Sequence, residues 1–308
     1  MCLGNGDFSG YLLLIGFSGL IIYKIFKIAK KTKINTYLEL TGTMVGKHRF
    51  LNDVINNMLN VFLFISYIVM VAGVGAFFHQ EFGIPTIYGA IGVTICNIIV
   101  LKGDIDKITK INFILIPFLV ITIIALGFKE GKISVSGYEN FMKNGWILKA
   151  ILYASYNMIT LIPIILKFSD KINNKSKMIV ASILTFAIMS IMSISIFCVI
   201  TNNFETVLNT EMPMVYIVNN LGTIYKIIYS IVVLIAIFTT AISSGYSFIN
   251  NIAKNKKQYK IFLYVISILG IALSPLGFGN LLDFLYPMLG FLGLVQIFFI
   301  LKAWKNGN

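Results

Sequence analysis

The chain is short of charge. Of its 308 residues only 12% are Asp, Glu, Lys or Arg, against the roughly 25% that a soluble globular surface carries. So few ions cannot keep a surface of that size in water, which excludes a soluble enzyme, and so apolar a chain is no disordered one either. Cysteine is equally sparse. Cys2, Cys96 and Cys198 are too few and too scattered for a disulfide framework or a metal site, and there are only two histidines, His48 and His79. No G-x-x-x-x-G-K-[ST], H-E-x-x-H or G-x-S-x-G sequence occurs, so neither ATP chemistry nor hydrolysis is expected and the chain is read as a non-enzyme. What is present is apolar: 57% hydrophobic residues and a mean hydropathy of +0.86. That composition belongs to an integral membrane protein. The net charge of +13 carries no meaning until its lysines are placed.

A helix needs about 20 apolar residues to cross a hydrocarbon core of roughly 30 Å. Nine runs meet or approach that length: 9–29, 54–78, 86–102, 108–128, 146–167, 178–200, 224–250, 259–276 and 280–303. They are continuously apolar, without the short alternating segments of a membrane barrel. The expectation is a single all-α transmembrane domain over residues 1–308, with about nine helices.

The lysines give these spans a direction. Lys24, Lys27, Lys30, Lys31, Lys33, Lys47 and Arg49 follow the first run; Lys102, Lys107 and Lys110 follow the third. Lys167, Lys171, Lys175 and Lys177 follow the fifth, Lys254, Lys256, Lys257 and Lys260 the seventh, and Lys302 and Lys305 the last. Alternating spans put all of these, 20 of the 25 basic residues, on one side. Positive residues mark the cytoplasmic face, so the C-terminus is expected inside and Met1 outside. Because the clusters sit at span ends without interleaved aromatics, they read as topology labels and not as a nucleic-acid surface. An N-terminus outside, without a cleavable leader, has two explanations: direct insertion of the first run, or an upstream helix that this chain lacks.

Transporter sites tend to lie where membrane helices are interrupted. The fifth run, WILKAILYASYNMITLIPIILKF, carries Ser155, Tyr156, Asn157 and Thr160 ahead of Pro163. The proline removes a backbone donor and crowds the Ile159 carbonyl, which predicts a kink or an unwound stretch. Those residues can line a substrate site, or they can bond a neighbouring helix. The seventh run contains IFTTAISSGYSF. Its Thr240, Ser243 and Ser244 fall roughly on one helical face, where hydroxyls can join the oxygen shell of a monovalent cation or simply let helices approach. Gly73 and Gly75 give the second run a close-packing surface just inside His79 and Glu81, a pair that either moves protons or merely starts a solvated loop. Asn97 reads as interhelical glue, residues 34–53 as a cytoplasmic surface segment, and residues 202–221 as an acidic outer segment with a helical turn from Met212, either a lid or a plain surface helix.

The stretches VMVAGVGAFFHQEFGIPTIYGAIGV, KINFILIPFLV and ILYASYNMITLIP resemble the YkvI-like family of bacterial membrane proteins, over about residues 8–300. That family is placed in the amino acid–polyamine–organocation transporter superfamily. The resemblance therefore implies a LeuT-type inverted-repeat bundle, in which the nine spans fit helices two to ten and the first broken helix is missing. It implies that Ser155, Tyr156, Asn157 and Thr160 belong to the substrate site. It also implies that Thr240, Ser243 and Ser244 match the helix supplying hydroxyls to a sodium site. The function so implied is cation- or proton-coupled secondary transport of a small solute such as an amino acid across the bacterial plasma membrane. Na+ or H+ would be the coupling ion, with no other cofactor, no nucleic-acid partner, and protein partners unspecified. Two alternatives share the fold: a membrane sensor that binds without transporting, and an inactive truncated product.

Overall fold

The computed structural model describes residues 49–102, 106–130, 174–207 and 210–306, together with residues 19, 21–28, 30, 42, 148, 151, 152, 155, 156 and 165. The described secondary structure is entirely helical: α1 (Arg49–Phe82), α2 (Thr86–Leu101), α3 (Asp106–Glu130), α4 (Lys175–Asn202), α5 (Phe204–Val207), α6 (Pro213–Asn219), α7 (Thr223–Ile252), α8 (Lys256–Leu273) and α9 (Phe278–Asn306), with a 3-10 turn at Ser274–Leu276. Seven of the nine expected spans coincide with α1, α2, α3, α4, α7, α8 and α9. The runs at 9–29 and 146–167 lie largely outside the described residues. Helix α1 already starts at Arg49, so the end of the 34–53 stretch belongs to that helix.

The boundaries follow from local chemistry. Gly83 ends α1 in a left-handed turn at φ +67°, a conformation that costs a side-chain-bearing residue about 1–2 kcal/mol. Its N–H donates to the His79 carbonyl at 2.9 Å, and Pro85, which has no donor to offer, stands immediately before α2. At the start of α8, the Asn255 side chain accepts from the Gln258 N–H at 2.9 Å while the Gln258 side chain accepts from the Lys254 N–H at 2.8 Å. The first bond satisfies one of the donors a helix start leaves open, and the second ties the residue before the cap to the same turn.

These helices carry large apolar residues on their outer faces as well as in the core. The buried face of α2 is Gly89, Ala90, Val93, Thr94, Asn97 and Leu101, while Ile87, Ile91, Ile95 and Ile99 are exposed. On α8 the small and polar Ser267 and Gly270 are buried, and Ile261, Val265, Ile268 and Leu269 face outward. Branched apolar residues spaced by three and four on an outer face gain nothing from water and are at home in lipid. Among the described residues, five helices are long and apolar enough to cross a membrane: Asn52–Phe82, Lys175–Asn202, Thr223–Ile252, Lys256–Leu276 and Phe278–Val295. Thr86–Leu101 and Ile116–Lys129 are shorter apolar helices. Together with the composition, this makes the chain a multi-pass membrane protein.

The chain divides into two compact units. One contains Asn60–Ser134 and Ile194–Asp283; the other contains Cys2–Leu59, Val135–Ser193 and Phe284–Asn308. In the first, α7 packs on α2, α3, α6 and α8, and α8 packs on α2. Its core is formed by Tyr67, Ile68, Val71, Val74, Ala90, Val93, Ala241, Ile242, Leu263 and Ile266. Lipid is as apolar as these side chains, so close packing holds such a core together where the hydrophobic effect cannot. Glycine supplies the fit. A Cβ on Gly75 would stand 2.5 Å from the Thr86 carbonyl oxygen, and one on Gly89 would stand 3.0 Å from the Gly75 Cα. Gly73 serves another neighbour, with Phe278 3.1 Å from its would-be Cβ. In the second unit, Gly290 of α9 lies against Leu152, 2.6 Å from a would-be Cβ, and Gly293 lies against the Ser155 backbone.

Candidate functional site

The hydroxyl-rich stretch of α7 is built on a continuous helix, and the helix sorts its side chains by face. Thr240 and Ser243 are exposed and Ser247 is partly so, while Thr239 and Ser244 are buried. Thr240 and Ser243 therefore share a face. Ser244 points into the core instead, and Ser247, one turn beyond Ser243, extends the outer row. Each hydroxyl donates to a carbonyl one turn back: Thr240 to Ala236 at 2.7 Å, and Ser243 to Thr239, Ser244 to Thr240 and Ser247 to Ser243, each at 2.8 Å. Their donors are thus occupied, and their oxygen lone pairs remain available as acceptors.

Of the residues expected around a substrate, Ser155 and Tyr156 are described; Asn157, Thr160 and Pro163 lie outside the described residues. Ser155 is 1% exposed and its hydroxyl donates to the Ile151 carbonyl at 2.7 Å. It sits where Gly293 lets α9 come within backbone contact. Tyr156 is partly buried.

A second polar arrangement lies at the end of α1. His79 and Glu81 do not face each other, as expected of helix residues two apart. The His79 ring nitrogen Nδ1 is 3.3 Å from the Ile84 carbonyl oxygen, whereas the Glu81 carboxylate accepts from the Asn219 side-chain amide and pairs with Lys226 at 3.2 Å. The Glu81 side chain is only 1% exposed and that of Lys226 40%. Beside it, Gln80 exchanges two hydrogen bonds with the Met212 backbone, at 3.1 and 3.2 Å. Glu211 accepts from the Phe278 N–H at 3.3 Å, a carboxylate placed at the positive start of α9. Lys129 reaches the Leu221 carbonyl at 3.4 Å and lies 4.3 Å from the centre of the Tyr225 ring. The expected outer segment is therefore two short helices, α5 and α6, strapped at Glu211, Met212, Asn219 and Leu221 to the ends of α1, α3 and α9 and the start of α7. The sequence held a signal for this strap, since Lys226 is one of the few lysines off the lysine-rich side and Glu81 one of the few acids at a span end. Nothing in the spacing pairs them.

No protein-family model matches the chain. It is 21% identical over 292 residues to the uncharacterized protein YyaD of Bacillus subtilis, covering 92% of this chain and 85% of that protein. Over nearly its whole length, 94% of this chain and 84% of the relative, it is similar to the uncharacterized membrane protein YkvI of Bacillus subtilis, at 24% identity across 313 residues.

Proposed function

We propose that this chain is a YkvI-like protein of the amino acid–polyamine–organocation superfamily with a LeuT-type bundle, acting as a secondary active transporter of a small solute such as an amino acid. The observation that supports this reading best is the outward row of Thr240, Ser243 and Ser247 on α7, a 30-residue helix otherwise apolar enough to span a bilayer. With their protons held by the helix, these oxygens present open lone pairs, which suit a cation, a polar partner or a water-filled path. In this reading Thr240 and Ser243 offer oxygens to Na+ or receive a hydrated proton, with Ser244 supporting the helix from behind. Ser155, Tyr156, Asn157 and Thr160 contact the solute. The strap at Glu211–Leu221 covers the outer mouth, and the lysine-rich ends and the C-terminus face the cytoplasm of a bacterial cell.

Uptake of a radiolabelled amino-acid panel into proteoliposomes, under imposed Na+ or H+ gradients, tests this. Accumulation that follows one gradient is expected, and Asn157→Ala should abolish most of it at unchanged expression. Thr240→Val with Ser243→Ala should weaken the dependence on sodium; sodium-independent uptake by the unmutated protein would remove the ion role from α7. Saturable binding with no flux under any gradient would replace transport by sensing.

A further inference from the structure

A hydroxyl within a helix ordinarily gives its proton to the carbonyl one turn back. Ser182, Thr185, Ser190, Thr240 and Ser243 all do so, at 2.7–2.8 Å. Thr94 of α2 and Ser267 of α8 do not. Both are buried, at 1% and 2% exposure, and together with Asn97 they gather around the hydroxyl of Tyr67 on α1. Tyr67 and Asn97 are themselves fully buried. The Tyr67 hydroxyl is within reach of Ser267, Asn97 and Thr94, yet no approach at Tyr67 Oη, Thr94 Oγ1, Asn97 Oδ1, Asn97 Nδ2 or Ser267 Oγ has the distance and angle of a hydrogen bond.

The phenol cannot swing away to find another partner. Its ring is wedged between two helices at glycines: a Cβ on Gly245 of α7 would stand 2.9 Å from Tyr67 Cδ2, and one on Gly270 of α8 would stand 3.3 Å from Cε1. Nor is solvent at hand. Tyr67 is midway along the apolar span Asn52–Phe82, and Ser267 is midway along Lys256–Leu276. At that depth a bilayer offers no hydrogen bonds, and an unsatisfied polar group is costly.

We infer that the Tyr67–Thr94–Asn97–Ser267 cluster is a binding site for ordered water at the centre of the first unit, joining α1, α2 and α8. Water fits the chemistry where a cation does not. The Asn97 Nδ2 needs an acceptor, which a cation cannot be. One buried water makes about three hydrogen bonds by both donating and accepting, so five open atoms call for more than one molecule. The water completes a polar node that fixes the register of three helices.

The test uses the full chain in lipid nanodiscs. A structure at a resolution that shows ordered solvent should place density between the four side chains; direct side-chain pairs with no density there would overturn the inference. Thr94→Val and Ser267→Ala each delete one hydroxyl with little change of shape. In a hydrated cluster each lowers Tm, because the water loses a partner, and Thr94→Ser restores it. In a dry cluster each removes an unsatisfied group, so Tm rises or holds, and that result also overturns it. Exchanging choline chloride for sodium chloride should leave Tm equal in Thr94→Val and the unmutated protein. A sodium-specific rise that Thr94→Val abolishes would assign the site to the ion instead.

Discussion

Glu81 and Lys226 form an unequal pair, because one partner's side chain is 1% exposed and the other's 40%. Taking away Lys226 strands a buried carboxylate with only the Asn219 amide, whereas taking away the Glu81 charge leaves an ammonium that reaches water on its flexible stem. Loss of one member of a buried pair costs about 3–5 kcal/mol when the survivor stays buried and charged. Lys226→Met is therefore expected to lower stability by about 3 kcal/mol. Glu81→Gln, which keeps a hydrogen bond to Asn219, should cost roughly 1 kcal/mol. Combining them should recover most of the Lys226→Met loss, as thermal unfolding of the four proteins in a double-mutant cycle would show. Equal losses from the two single variants would mean that the carboxylate is not the stranded partner. Residue identity marked Lys226 and Glu81 as unusual for their positions but did not pair them. His79 and Glu81 stand two apart and invite pairing on paper, but the helix turns them to different neighbours, Ile84 and Lys226.

At the scale of elements, α1 and α2 form a hairpin whose closeness depends on two small residues. Gly75 meets the Thr86 carbonyl and Gly89 meets Gly75 itself, so a methyl group at either position has to push a backbone aside. Overpacking of this kind costs about 1–3 kcal/mol. Gly75→Ala and Gly89→Ala are expected to lower Tm and the monodisperse yield in detergent. Gly92→Ala is the control. It lies on the same helix with nothing within 4 Å of a would-be Cβ, and it should hold or improve stability, since alanine favours a helix interior by about 1 kcal/mol over glycine. A Gly92→Ala as damaging as Gly89→Ala would count against the packing account. The close-packing role of Gly73 and Gly75 was readable in advance; that they serve different partners, Phe278 and Thr86, was not. The hydroxyls of α7 teach the same lesson. Spacing groups Thr240, Ser243 and Ser244, while packing against the core turns Ser244 inward and leaves Ser247 to continue the row.

For the whole molecule, the uneven distribution of lysine leads to a topology that can be measured. With Cys2, Cys96 and Cys198 replaced by serine, a single cysteine at Lys256, between α7 and α8, should label only from the cytoplasmic side. One at Asn220, between α6 and α7, should label only from outside. Impermeant maleimide on right-side-out and inverted vesicles checks both, and labelling of both positions from one side would break the alternation of spans. Among the described residues, five expected spans appear as helices long and apolar enough to cross a membrane and two as shorter apolar helices, because what makes them is local: consecutive apolar residues with every backbone group satisfied inside the segment.

The sequence by itself determined that this is a helical membrane protein, where its described spans run, where glycine and proline break them, and which ends carry the positive charge. Those properties depend on run length, on backbone sterics at residues such as Gly83 and Pro85, and on charge counts, none of which needs a partner. Only the tertiary structure decided that Glu81 meets Asn219, 138 residues away, that Gln80 clasps Met212, and that Tyr67, Thr94, Asn97 and Ser267 converge in one buried node. Helices in a bilayer are set against one another by the fit of small residues such as Gly75, Gly89, Gly245 and Gly270. The register that fit imposes, and with it every polar meeting across helices, is a property of the packed bundle and cannot be read from any one span.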